Sequence, residues 1–239
     1  SVLNCFMYDF PSTLLMLLIM LDSISLPPGF LGCVDELLGK VDKASLSHLT
    51  LLEMFLEGIE NKEHTWKTDK QPDTFSEWHG VKANEDDEMI RINWSYTYDL
   101  QGTVNLRWLP STVVVLFLFS NKLTGSLDLT ALPDLMEDFT LQMNEFIGRI
   151  DLTRLPQNLR ILNVSTNKLS GSLDFTRLPI TLMKLYLHSN DFSGECDFTY
   201  LPDSLTHLDV SDTNLSGEIE VEEKVGIYYR TYDSQVKIL

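Results

Sequence analysis

The hydrophobic positions of this chain recur at a fixed interval through its second half. The dipeptide Leu-Pro begins at residues 109, 132, 155, 178 and 201, so five units of 23 residues follow one another without a gap. Within each unit, apolar residues alternate with others over a short stretch, which is the period of a β-strand. One such unit cannot bury its own apolar side, so the units must stack. The pattern therefore predicts a solenoid with one short strand in every unit.

Two inward-facing residues per unit are predicted to form the core of this solenoid. These pairs are Leu116 and Leu118, Phe139 and Leu141, Leu162 and Val164, Leu185 and Leu187, and Leu208 and Val210. An asparagine follows the strand in the first four units, at Asn121, Asn144, Asn167 and Asn190. We expect its side chain to satisfy backbone groups where the chain turns. Thr213 stands there in the fifth unit, which predicts a weaker ladder at that end.

A degenerate unit precedes the five regular ones. Residues 89–108 keep Leu100 and Gly102 in phase with the later repeats. Ile92 and Trp94 resemble the inward pair of a strand, but they are one residue out of phase. This departure is consistent with a repeat at the edge of the solenoid, where only one neighbour constrains it.

The repeat is identified as a leucine-rich repeat, because a period of 20–29 residues with L-x-L-x-x-N inside it is typical of that class. The unit L-x-G-x-[I/L]-x-[L/F]-T-x-L-P resembles the plant-type class, and also the repeats of protozoan surface proteins of the kinetoplastid surface-antigen and proteophosphoglycan-like kinds. The stretch SEWHGVKA is similar to their N-terminal cap signature C-x-W-x-G-V-x-C, with Trp78, Gly80 and Val81 matching. Ser76 and Ala83 stand in place of its cysteines, so the cap disulfide is absent. The resemblance implies ligand recognition or surface display, usually without enzymatic activity.

We therefore predict an α/β repeat protein, a leucine-rich-repeat solenoid with a parallel sheet on its concave face and a helical N-terminal cap. Apolar residues at helical spacing in residues 45–60 supply the cap helix, and weak alternation in residues 225–239 is predicted to close the last repeat. The predicted divisions are a signal-peptide-like segment at 1–25, the cap at 26–85, the solenoid of one degenerate and five full repeats at 86–223, and a C-terminal cap at 224–239.

The N-terminal segment resembles a secretion signal with one rule broken. The run LLMLLIML at 14–21 is too short to span a bilayer but has the size of a signal-peptide core. Ser23 and Ser25 supply small residues for cleavage, whereas Asp9 lies where a positive residue is expected and the first cation is Lys40. A cleaved signal, a buried core helix and an uncleaved anchor are the three interpretations. Membrane contact is expected only through this segment, if it is uncleaved.

Composition and charge exclude several functions. Apolar residues make up 44% of the chain, which is ordinary for a globular protein and excludes a disordered one. The net charge of −17 argues against binding to nucleic acid or to an anionic membrane, and favours basic or neutral partners. The cysteines Cys5, Cys33 and Cys196 are far apart, so no metal site is predicted. With no nucleotide-binding or metalloprotease motif in the chain, neither a cofactor nor a small-molecule substrate is predicted.

The outward positions of the strands are predicted to form the binding surface, because solenoids commonly bind partners along their concave face. The candidate contact residues are Phe117, Phe119, Thr140, Gln142, Asn163, Ser165, Tyr186, His188, Asp209 and Ser211. The two phenylalanines have two interpretations, which are a hot spot for a ligand and internal packing under the cap or against each other.

Catalysis is not predicted, although one group of residues suggests it on paper. Ser165, His188 and Ser211 fall in one column on adjacent strands, and Asp209 lies beside them. A Ser-His-Asp mechanism also needs an oriented base, an oxyanion hole and a pocket. A shallow open sheet offers no evident hole, and the chain has no G-x-S-x-G elbow.

Two further patterns concern turns and glycans. A column of acids runs along the second extended segment, at Asp128, Asp151, Asp174, Asp197 and Glu220. Each aspartate is interpreted as capping the turn beside a threonine two residues on, with calcium binding as the alternative. Glycosylation sequons occur at Asn93, Asn163 and Asn214. A glycan on Asn163 would obstruct the concave face.

The sequence thus favours a non-catalytic recognition module that binds a protein or glycan partner, secreted or at the cell surface. One alternative is a structural coat or adhesion component displayed in bulk without a single ligand. Another is a cytoplasmic scaffold, in which the N-terminal apolar segment is buried in the cap.

Overall fold

The computed structural model describes residues 42–96, 98–220 and 228–239, and divides the chain into two compact units at 1–46 and 47–239. In the first unit the described residues form one 3-10 turn, Lys43–Ser45, where the Asp42 carboxylate accepts a hydrogen bond from the Ala44 N–H. The signal-like segment at 1–25 lies outside the described residues. Among the described residues, none of the helices has the length and apolar character needed to cross a bilayer.

The second unit begins with the only α-helix in the described part of the chain, α1, His48–Phe55. The Ser47 hydroxyl caps its first turn by accepting from the Thr50 N–H at 3.1 Å. The sequence predicted a longer helix, over 45–60. The helix ends early because the chain then pairs with the first repeat, where the Gly58 carbonyl accepts from the Thr103 N–H at 2.8 Å. Two 3-10 turns, Lys62–Thr65 and Phe75–Glu77, complete the cap before the sheet begins.

Aromatic side chains join the cap to the first repeat. The ring of Trp78 lies 6.0 Å from that of Trp94, and Trp94 lies 6.5 Å from Phe55 on α1. All three side chains are fully buried. The Trp94 indole N–H donates to the His79 carbonyl at 2.6 Å, so this large ring fills the core without losing its polar contact.

The described residues form fifteen strands, which are arranged in two layers. The eight-stranded sheet contains, in spatial order, β1 (Val81–Ala83), β2 (Met89–Asn93), β4 (Val115–Phe117), β6 (Asp138–Thr140), β8 (Ile161–Asn163), β10 (Lys184–Tyr186), β12 (His207–Asp209) and β14 (Tyr228–Arg230). The opposite layer contains β3 (Gln101–Thr103), β5 (Lys122–Thr124), β7 (Ile147–Gly148), β9 (Lys168–Gly171), β11 (Asp191–Glu195), β13 (Asn214–Ile219) and β15 (Gln235–Ile238). Every pairing is parallel except that of β1 with β2.

The strand register confirms the predicted repeat. Leu116 lies opposite Phe139, and Phe139 lies opposite Leu162, so equivalent residues are 23 positions apart. The ten predicted inward residues are all fully buried between the two layers. The fold is therefore the leucine-rich-repeat solenoid that the apolar columns predict, with the eight-stranded sheet on the concave face.

The phase slip of the degenerate unit has a local cause. Ile92 lies opposite Leu116, so this pair is 24 residues apart instead of 23. The extra residue is taken up between Trp94 and Leu100, where both Tyr96 and Asp99 have a positive φ. In the five regular units a single residue takes this left-handed conformation after the strand, at Ser120, Met143, Thr166, Ser189 and Asp212.

The end of the chain adds a further coil. Tyr228–Arg230 extends the concave sheet beyond β12, and Gln235–Ile238 extends the opposite layer beyond β13. Residues 224–227 of the predicted C-terminal cap lie outside the described residues. The new coil places Tyr228 beside His207 and Arg230 beside Asp209, so it adds side chains to the concave face.

Candidate functional site on the concave face

An asparagine ladder holds the strands of the face in register. The Asn144 side chain accepts from the Leu123 N–H at 3.0 Å and donates to the carbonyls of Leu118 and Leu141, each at 3.0 Å. The same arrangement recurs one coil earlier at Asn121 and one and two coils later at Asn167 and Asn190. One amide thus links two coils at the point where the chain turns, as the sequence predicts.

The ladder weakens at the fifth unit, also as predicted. Thr213 replaces asparagine there, and its hydroxyl donates to the Val210 carbonyl at 2.7 Å. It also accepts from the Leu215 N–H at 3.4 Å. Within the described residues, these bonds stay inside the coil of Thr213.

Three rows of side chains run across the concave face, because each strand presents residues two apart on the same side. Ser165, Asp209 and Ser211 are buried, while the other seven predicted contact residues are half-buried. The structure therefore brings all ten residues to one face of the sheet, seven of them at its surface and Ser165, Asp209 and Ser211 beneath it. Their role in binding stays a prediction.

At the N-terminal end of the face lies an aromatic cluster, which we define as Arg91, Tyr96, Phe117 and Phe119. The rings of Phe117 and Phe119 lie 6.1 Å apart, so they pack against each other as one of the two interpretations predicts. Tyr96 meets Phe119 edge to face at 4.7 Å, and the Arg91 guanidinium lies 5.0 Å from the centre of the Phe117 ring. Sequence reasoning missed Tyr96 and Arg91 because both precede the regular repeats.

A second cluster lies at the C-terminal end, which we define as Tyr186, His207, Tyr228 and Arg230. The His207 ring lies between Tyr186 at 6.3 Å and Tyr228 at 6.0 Å. The Arg230 guanidinium stacks 5.0 Å from the centre of the Tyr228 ring. It also approaches the buried Asp209 carboxylate at 3.8 Å. Sequence reasoning named only Tyr186 of these four as a contact residue, since it did not align residues 228–230 with the repeat.

Between the two clusters, the polar side chains bond to one another. Thr140 donates to Asp138 at 2.9 Å, and the Asn163 amide nitrogen donates to the Gln142 side-chain oxygen. The Asn163 side-chain oxygen in turn accepts from the Ser165 hydroxyl at 2.7 Å. The middle of the face is thus a preorganised polar floor, whose side chains already hydrogen-bond to one another.

The charges of the face differ from those of the whole chain. Among the described strand positions on this side, the cations are Lys82, Arg91, Lys184 and Arg230, and the carboxylates are Asp138 and Asp209. Burial raises the pKa of Asp138, while the Thr140 hydroxyl and the charges of Arg91 and Lys184 act in the opposite direction. The excess acid that gives the chain a net charge of −17 therefore lies elsewhere.

Ser165, Ser211 and His188, which together with Asp209 resemble a catalytic triad in the sequence, are not hydrogen-bonded to one another as such a triad requires. The Ser211 hydroxyl donates to Asp209 at 2.5 Å, and the Ser165 hydroxyl is engaged by Asn163. His188 Nδ1 contacts Ser189, the residue next to it, at 3.2 Å. The arrangement stabilises turns at the strand ends, and neither the Ser165 nor the Ser211 hydroxyl donates to His188.

The three sequons differ in their surroundings. Asn93 is half-buried in β2, and Asn163 is half-buried on the concave face with its amide nitrogen engaged by Gln142. Asn214 is exposed at the start of β13, in the opposite layer. A glycan on Asn214 would therefore leave the concave face open, whereas one on Asn163 would cover it. Which of them carries a glycan stays a prediction.

The acidic column caps turns, which confirms the preferred interpretation. The Asp151 carboxylate accepts from the Thr153 N–H at 2.8 Å and from its hydroxyl at 2.6 Å. Asp128 and Asp197 bond in the same way to Thr130 and Thr199, and Asp174 accepts from the Thr176 N–H. These hydrogen bonds hold the pKa of Asp151, Asp174 and Asp197 below the ordinary value. In the part of the chain that the structure describes, no group of three or more acidic, histidine or cysteine side chains is placed to hold a metal ion.

The capped column predicts a specific loss of stability in acid. Because the folded pKa values are depressed, the unfolded chain binds more protons, and the protein should lose stability as the pH falls below about 4. The triple substitution Asp151→Asn, Asp174→Asn and Asp197→Asn keeps an oxygen for each threonine but removes the titration. We expect similar midpoints of urea unfolding at pH 7 and a shallower fall for the variant in acid. The exposed Asp134→Asn serves as the control and should follow the wild type; an unchanged acid slope in the triple variant would contradict the capping role.

Cys196 is part of the core and not of any site. It occupies the apolar position that Leu127, Ile150 and Leu173 fill in earlier repeats, and it is 4% exposed. Burial raises the pKa of its thiol to about 11. A thiol that remains protonated at neutral pH is chemically inert.

The comparisons with known proteins identify the fold. No protein-family model and no curated protein sequence matches the chain. Among solved structures, the chain is similar to a plant ice-binding protein (17% identity, TM-score 0.62, covering 79% of this chain and 71% of that one). It is also similar to a pollen receptor kinase 3 (23% identity, TM-score 0.56, covering 66% and 80%) and to the BIR3–SERK2 complex from Arabidopsis thaliana (20% identity, TM-score 0.57, covering 72% and 96%).

These likenesses support the plant-type reading of the repeat, whereas the protozoan resemblance stays a prediction. They extend over 66% to 79% of the chain, at identities that establish a shared fold. The chain is therefore a leucine-rich-repeat solenoid whose fold resembles that of these plant proteins.

Proposed function

We propose that this protein is a non-catalytic recognition module that binds a protein partner on the concave face of its solenoid, outside the cell or at its surface. The observation that carries the proposal is the composition of that face. It gathers aromatic side chains and contains four of the chain's cations against two carboxylates, although the whole chain has a net charge of −17.

Aromatic and arginine side chains are enriched where partners bind, because they bury a large area and keep a polar group. The face also has a rigid base, since the asparagine ladder fixes the strands beneath it. Preorganisation lowers the entropy that binding must overcome. One of the similar structures is itself a complex of two proteins, BIR3 and SERK2.

A blocking substitution tests this proposal. Thr140 lies half-buried on the polar floor between the two aromatic clusters. The full chain is used to select binders from a random library of linear peptides. We expect selected peptides to bind with one-to-one stoichiometry by calorimetry. Thr140→Arg should weaken them at least about tenfold, because it places a bulky cation across the surface.

The matched control carries the same new side chain away from the face. Ile180 follows a Leu-Pro corner and is 81% exposed. Ile180→Arg should leave peptide binding unchanged. Peptides that bind equally well to both variants would place the binding surface elsewhere and overturn the proposal.

The extracellular location is tested separately by expression in eukaryotic cells. We expect the protein in the medium with a mass that falls on enzymatic removal of N-glycans. Asn214→Gln should remove most of that shift, because Asn214 is the exposed sequon. An unglycosylated protein confined to the lysate would favour the cytoplasmic scaffold instead.

A further inference from the structure

We propose that the ligand of the concave face is an extended, largely uncharged polypeptide segment, held near its two ends by the N-terminal and C-terminal aromatic clusters. This inference rests on the proposed function and specifies its partner. Each cluster combines aromatic rings with a guanidinium stacked at 5.0 Å from a ring centre. Each therefore offers an apolar surface beside a donor for a backbone carbonyl.

The distance between the clusters sets the length of the ligand. Phe117 lies on β4 and Tyr228 on β14, which are five strand spacings apart in the sheet. At the usual separation of neighbouring strands this is about 24 Å. An extended polypeptide covers about 3.3 Å per residue, so about seven residues separate its two anchors.

The N-terminal cluster has an apolar extension that folding alone does not explain. Met143 takes the left-handed conformation with φ of 58° and is 51% exposed. The equivalent residues in the other regular repeats are Ser120, Thr166, Ser189 and Asp212. A long apolar side chain gains nothing from this strained and solvated position. Its sulfur lies 3.5 Å from the Ser120 hydroxyl, at the same rim of the face as the exposed Tyr96. It therefore adds apolar surface where a ligand anchor would lie.

The middle of the face favours a polypeptide over a glycan. A sugar presents hydroxyl groups around its ring and needs many unoccupied donors and acceptors. Here the side chains of Thr140, Gln142, Asn163 and Ser165 are already bonded within the face. A polypeptide anchored at its two ends can cross such a floor while making few new polar contacts.

The charges of the face favour an uncharged segment. Both carboxylates have partners, since Asp138 bonds to Thr140 and Asp209 bonds to Ser211 and lies near Arg230. A strongly basic segment would face the four cations, and a strongly acidic one would be repelled by the remaining charge of the chain. Binding should therefore depend little on ionic strength.

The test uses the peptides selected on the full chain, with one double substitution in each cluster. Tyr96→Ala with Phe119→Ala truncates the N-terminal cluster, and Tyr186→Ala with Tyr228→Ala truncates the C-terminal one. These side chains are exposed or half-buried, so each variant is expected to remain folded, which an unfolding curve checks. We expect either double substitution to weaken binding about 30-fold, and peptides cut between their two anchors to lose a similar factor. The dissociation constant should change less than about twofold between roughly 0.05 M and 0.5 M salt.

The possible outcomes separate this inference from the proposed function. If Thr140→Arg abolishes binding but only one cluster matters, or if a half-length peptide binds as tightly as the whole, the two-anchor ligand is wrong and recognition by the face remains. A loss of affinity above tenfold in high salt would overturn the uncharged ligand. If the affinity of the peptides is unchanged by Thr140→Arg and by both double substitutions, both proposals are wrong. The peptide truncations are measured on the unmodified protein, so they test the two-anchor ligand even if a protein variant fails to fold.

Discussion

Replacing Asn144 by alanine is expected to lower the free energy of unfolding by about 3 kcal/mol, because three buried backbone groups lose their partner at once. The side chain accepts from the Leu123 N–H and donates to the carbonyls of Leu118 and Leu141. It is 8% exposed, so water cannot easily replace these bonds. Urea unfolding followed by circular dichroism measures the loss.

The fifth repeat contains the matched control. Thr213 occupies the same column, but among the described residues its hydroxyl serves only its own coil. Thr213→Ala should therefore cost about 1 kcal/mol. Equal losses for the two variants would show that the link between coils adds nothing to stability.

Replacing Gly102 by alanine is expected to cost at least about 3 kcal/mol, for two reasons that add. Its φ of +97° is unfavourable for any residue with a Cβ atom. That atom would also lie 2.1 Å from the Gly58 carbonyl oxygen, which belongs to the backbone and cannot rotate away. The cap and the first repeat pair there, through the Thr103 N–H and the Gly58 carbonyl. The variant should therefore separate the cap from the solenoid.

Gly148→Ala is the control that separates the steric contribution from the conformational one. Gly148 occupies the same position two repeats later, with a similar φ of +85°, but a Cβ atom there would meet nothing closer than 3.9 Å. Gly148→Ala should cost only the conformational strain, about 1 kcal/mol. The steric effect of Gly102→Ala on the pairing of cap and first repeat is measured by hydrogen exchange of the cap amides. If Gly102→Ala leaves their protection unchanged, the close approach of Gly102 to the Gly58 carbonyl is contradicted.

The candidate site was predicted from the sequence only where the repeat is regular. Phe117, Phe119 and Tyr186 were found because each is next to an inward-facing residue that recurs every 23 positions, and must therefore face outward. Tyr96 and Arg91 precede the regular units, and the insertion after Trp94 shifts their phase. Tyr228 and Arg230 follow a shorter step of 21 residues from β12, so no column pointed to them. One signal in the sequence could have found them, namely the alternation in YYRTY at 228–232.

The charge argument had a similar limit. A net charge of −17 predicted basic or neutral partners for the whole chain. The composition gives the number of charged residues but not their positions on the folded protein. The strand register was needed to show that the concave face contains four cations and two partnered carboxylates.

The sequence by itself determined the repeat, the inward columns, the asparagine ladder and the aspartate caps. Each of these depends on residues that are close along the chain or separated by a constant number of positions, so periodicity alone reveals them. Only the tertiary structure decided where the cap helix ends, how the phase slip is absorbed and which aromatic rings meet. These features depend on contacts between elements at irregular separations, such as Gly58 with Gly102 and Tyr96 with Phe119. Of the side chains that we propose bind a partner, Phe117, Phe119 and Tyr186 belong to the first group, and Arg91, Tyr96, Tyr228 and Arg230 belong to the second.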